Sequence, residues 1–412
     1  MAPVRESDLA AWLPRQRWYG AKNVRIESVR VVEHRDVLAL VEVVPAGQGP
    51  QVYAVPELAG EGLGSEAVRQ RWWELLRQQQ TAGKFRFETL GALGAIGGSR
   101  LLGAEQSNTS VLYSDLAGAP RWILKLFRRV QEGENPDFEI PRALLRHTKF
   151  GNVPAAAGRL LYGGAATLAV AQEFVSNQGD GWDYVLGRLR AGAGAALLPE
   201  MEQLGRRTAE LHTALASIAG EADFAPEAIT EEDVERWRQR ALAGANAAAA
   251  EDQALIEPWR QRIESGPAGL DGLLGCQKIR IHGDYHLGQT LKTAGDFYLL
   301  DFEGEPARPL AERRRKGTVL QDVAGMLRSL GYVAHTADQG SWEAPAREAF
   351  LAGYRAVIET APVSLVARGA AAFTAACSFF ECEKAAYELA YERNHRPDWV
   401  RLPIAALRHL LA

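Results

Sequence analysis

The stretch IRIHGDYHLGQT at residues 279–290, followed by LLDF at 299–302, constrains this chain more than any other feature. It sets Asp284 five positions before Gln289 and seventeen before Asp301, with His282 and His286 on either side of the first acid. Three arrangements use such a pattern. It can supply transition-metal ligands (His282, Asp284, His286), a polar pair capping the end of a strand, or a loop that gathers a proton acceptor and hard-cation ligands. The metal reading lacks further clustered histidines, because the other six are scattered singly. The rest of the chain discriminates between the three, with a metal-dependent hydrolase centred on His282 and His286 kept as an alternative.

Composition removes whole classes of function. The net charge of −4 arises from 47 basic and 51 acidic residues, which gives no electrostatic reason to expect nucleic acid or an anionic membrane as partner. Cys276, Cys377 and Cys382 have no zinc spacing and are too few for a disulfide framework, so the expected compartment is a reducing cytoplasm. No signal-like segment opens the chain, and no run of 18 apolar residues occurs. Only 8 of the 47 basic residues are lysine. Arginine does the generic surface work, so a lysine inside an apolar stretch is expected to serve as a compact charge, which singles out Lys125 and Lys384.

At 412 residues the chain is expected to divide into two or three lobes. Residues 24–56 alternate as strands, 65–80 are helical, and strands return at 83–91, 99–104, 110–115 and 120–129. A helix is predicted at 135–150 and a strand at 167–177. RAGAGAALLPE at 190–200 reads as a surface connection. After it come a long amphipathic helix at 199–218, further helix over 225–265, a short strand at 296–302, and mostly helix from 320 onward. The fold class is α+β: strand-rich first, helical last.

Transfer of a phosphoryl group needs one carboxylate to accept the proton of the attacking hydroxyl. It also needs a second carboxylate and a neutral oxygen to hold Mg²⁺. Asp284 fits the first role, with Asp301 and Gln289 for the metal. Upstream it needs a strand-borne lysine and a helical glutamate; WILKLF supplies Lys125 and the next helix Glu139. The loop GAEQSNTS, with Gln106, Ser107, Asn108, Thr109 and Ser110, would cradle ATP phosphates through hydroxyls and backbone N–H groups. QEFVSN, with Glu173 and Val175, stands where backbone groups would meet adenine. No P-loop pattern is present.

HGDYHLGQTL, LLDFEGEPARPLAERR, DVAGMLRSLGY and CEKAAYELAYERNHRPDW together resemble the bacterial maltokinases, and WLPRQRWYGAKN, GAEQSNTS, GENPDFEI, NQGDGWD and GRRTAELHTAL follow the same family in order. The resemblance spans nearly the whole chain. It implies a protein-kinase-like bilobal fold with an N-terminal cap at 1–90, a kinase N-lobe at 91–178 and a helical C-lobe at 179–412. It implies transfer from ATP, with Mg²⁺, to the anomeric hydroxyl of maltose, feeding glycogen-like α-glucan synthesis from trehalose. A trehalose synthase is then a candidate partner. His282, Glu303 and Glu305 would support the metal site. The sugar would meet His286 and one face of a helix carrying Lys384, Tyr387 and Tyr391, with Glu388 adjoining. Related kinases act on glucosamine with a similar scaffold, and a nucleotide-binding pseudokinase is the alternative from another class. The bland reading of the helix pairs Lys384 with Glu388.

Overall fold

Alternating apolar residues in the first third of the chain demand sheets with one covered face. The computed structural model describes residues 5–35, 38–58, 62–103, 107–266, 268–306 and 308–411, apart from the side chains of 394 and 395. They form two compact units, Met1–Leu145 with Pro154–Val175, and Arg146–Val153 with Ser176–Ala412.

The first unit opens with a short helix, α1 (Leu9–Trp12), and the strands β1 (Ile26–Arg35), β2 (Leu38–Pro45) and β3 (Gln51–Val55). With β9 (Arg129–Val130) these make an antiparallel sheet of order β1-β2-β3-β9. Val41, Val43, Tyr53 and Val55 from one face join Leu9, Leu13 and Tyr19 in a closed core, against which Trp12 and Trp18 pack. These two tryptophans therefore serve packing.

Helix α2 (Glu66–Arg77) follows, then β4 (Thr81–Ala82), β5 (Phe85–Thr89), β6 (Gly98–Leu101), β7 (Asn108–Ser114), β8 (Pro120–Phe127), helix α3 (Pro136–His147), β10 (Ala156–Tyr162) and β11 (Ala166–Glu173). The larger sheet runs β4-β5-β10-β11-β8-β7-β6. Trp72, Trp73 and Leu76 of α2 are buried in one cluster with Phe87, Tyr113, Leu124 and Leu160 from that sheet. Strand β7 begins at Asn108, so Asn108 and Thr109 are strand residues where the sequence suggested loop, and Ser110 lies in the strand predicted from 110. Gln106 lies outside the described residues.

The second unit is helical: α4 (Gly181–Arg190), α5 (Gly194–Ala216), α6 (Glu231–Ala248), α7 (Gln253–Ser265), α8 (Leu310–Arg313), α9 (Leu320–Thr336), α10 (Glu343–Ile358), α11 (Ala370–His395) and α12 (Arg401–Leu411). Two short antiparallel pairs interrupt it, β12 (Glu227–Ala228) with β13 (Gln277–Lys278) and β14 (Thr290–Lys292) with β15 (Phe297–Leu299). Helix α5 starts at Gly194, inside the segment read as a connection. Its Gly-Ala-Ala-Leu-Leu opening favours helix strongly enough to extend the amphipathic run backwards. The hairpin β14–β15 carries Gln289 at its entrance and Asp301 at its exit.

Candidate active site

In the first unit, Lys125 occupies β8, an interior strand whose register sets it opposite Val170 of β11 and Ser110 of β7. Its ammonium lies 3.1 Å from Asp137 Oδ2, and both side chains are almost fully buried. A charge in such a place requires an opposite charge at hand. The α3 entry supplies it. Asn135 Oδ1 accepts the Asp137 N–H at 2.9 Å, and Pro136 opens the helix. Glu139, the partner expected from sequence, is buried two residues further along α3. Asp137 lies within the motif NPDFEI, where nothing local ranks it above Glu139.

Thr109 Oγ1 accepts from Arg128 Nε at 2.8 Å, and the same guanidinium grips both oxygens of Glu57 at 2.7 and 2.8 Å. Ser110 is fully buried, whereas Ser107 is exposed. Glu173 closes β11 and pairs with Arg121 at 3.1 Å; Val175 follows two residues later.

In the second unit, the stretch 282–287 is held by groups from distant helices. Asp322, fully buried in the first turn of α9, accepts the backbone N–H groups of His282 and Gly283 at 2.8 and 2.9 Å. His212 of α5 donates Nε2–H to the same carboxylate at 3.1 Å, and its Nδ1 meets the Tyr354 hydroxyl at 3.0 Å. Burial alone would raise the Asp322 pKa, but the His212 hydrogen bond, the His212 and His282 imidazoles and the Gly283 N–H hold it below the carboxylate norm. Gly325 of α9 lets the loop approach, because a Cβ there would stand 2.5 Å from the Tyr285 carbonyl oxygen. The Tyr285 hydroxyl bonds Thr208 at 2.9 Å, and Leu287 N–H donates to Ser329 at 3.1 Å.

His282 uses both ring nitrogens inside the protein. Nε2 donates to the Leu300 carbonyl at 2.9 Å, and Nδ1 accepts from Asp284 N–H at 3.4 Å. That engagement counts against its service as a metal ligand. His286 is half-buried, and burial lowers its imidazole pKa below the ordinary value.

Gln289 Nε2 donates to Asp301 Oδ2 at 2.9 Å, joining the two residues expected at a metal. Asp301 adopts φ of +64°, a left-handed backbone that non-glycine residues occupy at a cost and chiefly at functional sites. Glu303 receives Arg313 Nη1 on its carbonyl at 2.8 Å. Glu305 joins Lys384.

Lys384 of α11 stands 2.7 Å from Glu305 Oε1 and 3.3 Å from Asp284 Oδ1. It does not take Glu388, which accepts from Arg328 of α9 at 2.9 and 3.0 Å. Lys384 and Arg308 hold the buried Glu305 carboxyl near a pKa of about 2, against the upward push of burial.

Beside Asp284 opens a cavity of about 630 Å³ whose lining includes Asp284, His286, Lys384, Tyr387, Glu388 and Tyr391. All five residues expected at the sugar thus border one space. The rings of Tyr387 and Tyr391 lie nearly parallel at 6.4 Å, half-exposed. Trp182, Tyr332, Glu392, Arg396 and Trp399 also line it and are not assigned from sequence, although Arg396 and Trp399 fall within the motif RNHRPDW. Arg396 lies 4.8 Å from the Trp399 ring and pairs with Glu392 at 2.6 Å. Each carboxylate on this wall is matched by a cation: Asp284 by Lys384, Glu388 by Arg328, Glu392 by Arg396.

The chain is 29% identical over 336 residues to a glucosamine kinase of Mycolicibacterium smegmatis, covering 76% of this chain and 80% of that one. It is 28% identical to a glucosamine kinase of Streptacidiphilus jiangxiensis, covering 79% and 76%. A solved glucosamine kinase in complex with glucosamine, ADP and inorganic phosphate shares the fold, with a TM-score of 0.70, 23% identity and full coverage of both chains. Residues 12–71 match the maltokinase N-terminal cap domain. Residues 99–362 match the phosphotransferase enzyme family, to which this chain belongs.

Proposed function

We propose that this phosphotransferase carries the γ-phosphoryl group of ATP to a hydroxyl of a neutral sugar, with maltose the acceptor and maltose 1-phosphate the product. The observation that carries the reading is the cavity beside Asp284, apolar ring faces interleaved with carboxylates that already have cationic partners. Ring faces suit the C–H surfaces of sugars, and paired charges present hydrogen bonds without a free negative site for an amine. The match of residues 12–71 to the maltokinase cap supports the same acceptor. The ADP in the solved relative supports a nucleotide donor.

Asp284 Oδ1 is taken by Lys384, while Oδ2 makes no hydrogen bond among the described residues. Oδ2 is the atom that would accept the proton of the sugar hydroxyl and align it for in-line attack. Lys125, steadied by Asp137, would pair with phosphate oxygens. Gln289 and Asp301 offer oxygen donors, which suit a hard cation, and the Gln289 side-chain oxygen Oε1 makes no hydrogen bond among the described residues. Magnesium held there would offset the charge of the phosphates. The product would supply α-glucan synthesis, and a trehalose synthase is the partner to test.

The second reading, glucosamine as acceptor, is favoured by the two curated relatives of that name. ATP consumption measured over maltose, glucose, trehalose and glucosamine separates the two. The highest kcat/KM is expected with maltose. Preference for glucosamine transfers the assignment to the second reading, and no turnover with any sugar defeats both.

A further inference from the structure

Lys384 stands one hundred positions after Asp284, yet its ammonium bridges Asp284 Oδ1 and Glu305 Oε1 at 3.3 and 2.7 Å. The other Glu305 oxygen receives Arg308 Nε at 2.5 Å. The sequence Arg308, Glu305, Lys384, Asp284 therefore alternates in sign, and Glu305 is anchored at both oxygens within a side chain only 8% exposed.

Two cavities meet at this pair. One is the space of about 630 Å³ described above; the other, about 320 Å³, is lined by Arg236, Arg240, Arg308, Glu305 and Glu383 among others. Asp284 and Lys384 border both. Of the three ammonium protons, two point at carboxylates already present, so the group is spent largely on the protein itself.

Three roles for Lys384 make different demands. A sugar ligand would direct its protons to the acceptor. A packing residue would pair along its own helix with Glu388, which is instead held by Arg328. The observed bridge does neither, since it ties one oxygen of the catalytic carboxylate to a fixed anion.

We infer that Lys384 is a positioning residue for phosphoryl transfer: clamped by Glu305, it holds Asp284 Oδ1 so that Oδ2 alone faces the acceptor hydroxyl. The inference rests on the reading that Asp284 receives that hydroxyl. A carboxylate released from the clamp can rotate about its terminal bond, and misplacement of a reacting group by 1 Å costs about 10²-fold in rate. The loss belongs to kcat, because acceptor binding does not depend on which oxygen is aligned.

The test is steady-state kinetics on Lys384→Met, Lys384→Arg and Glu305→Gln with the preferred acceptor of the panel. Lys384→Met is expected to lower kcat about 100-fold, with acceptor KM changed less than about threefold. Lys384→Arg should recover about a tenth of the activity, and Glu305→Gln should lose about tenfold, because each keeps part of the clamp. Ethylamine added to Lys384→Ala should restore part of kcat, which a packing role would not allow. A kcat near wild type in Lys384→Met, or a loss confined to KM, overturns the inference. Should the wild type turn over no sugar, the proposed function fails separately, and a double-mutant cycle on thermal unfolding decides this point. Lys384→Met and Asp284→Asn should then be non-additive, and additive shifts overturn the clamp.

Discussion

Two lysines out of eight carry the chemistry assigned here, and they are placed by different means. Lys125 is fixed by sheet register, between Val170 and Ser110 on an interior strand, and it meets Asp137 only twelve residues away. Lys384 sits on a helix whose neighbouring positions, Tyr387 and Tyr391, are half-exposed, and its partners come from 79 and 100 positions upstream. A strand locates a charge through backbone pairing, so removing the side chain leaves the place intact. The helical lysine is located by its ion pairs, and removing one end releases the other. The first arrangement is a rigid mount; the second is a mutual clamp.

The largest effect that bears on this contrast is expected at Asp284, the carboxylate that the clamp holds. Asp284→Asn keeps the shape but removes the proton acceptor, and kcat should fall by about 10³-fold. ATP affinity, read by calorimetry, should stay within about twofold, because Lys125 and its mount are untouched. Full turnover in this variant removes the assigned role.

Lys125 tests the rigid mount. Lys125→Met deprives Asp137, whose side chain is 2% exposed, of the cation at 3.1 Å. Removing one partner of a buried pair costs on the order of 3 kcal/mol. Urea unfolding should show that loss, together with weaker ATP binding. Lys125→Arg should not recover ATP affinity, because a planar fork does not fit the place of a point charge. Unchanged stability would mean that the strand mount and the ion pair are independent.

The clamp has a pH signature. Glu305 is held at a pKa of about 2 in the folded chain against an ordinary 4.5. A depressed acid adds stability that is complete above the unfolded value and is lost as pH falls from 4.5 towards 2. The full contribution is on the order of 3 kcal/mol, at about 1.4 kcal/mol for each unit. Urea midpoints at pH 6, 4 and 3 should therefore converge between wild type and Glu305→Gln as the pH drops. A constant difference over that range would show that folding leaves the Glu305 pKa where it is in the unfolded chain, and that the clamp does not depress it.

The same contrast explains what was legible in the sequence. WILKLF marks Lys125 because it is too apolar for an idle ammonium, and short local spacing marks Asp284, Gln289 and Asp301. The strand-rich first half and the helical second half followed from periodicity. Asp137 was missed because two acids, two residues apart at a helix start, cannot be ranked without the helix phase. Asp322 was missed because a carboxylate that receives backbone N–H groups of a loop forty positions away leaves no local trace. The start of α5 was misplaced because glycine and alanine together read as a loop. Local pattern marks a charge that its own strand or loop makes conspicuous; it does not show which distant groups hold that charge.

The smallest effect probes the face of α11 beyond the clamp. Tyr391 is 42% exposed, its ring nearly parallel to Tyr387 and 5.7 Å from the Arg396 guanidinium. Aromatic contacts of this kind contribute about 1 kcal/mol. Tyr391→Ala should therefore raise acceptor KM by about fivefold to tenfold, with kcat and ATP KM within about twofold. Tyr391→Phe should stay close to wild type, because the ring face, and not the hydroxyl, is what covers a sugar. A drop in kcat in Tyr391→Ala would place this tyrosine in the clamp with Lys384. A rise in acceptor KM in both variants would show that the phenol hydroxyl is the binding group.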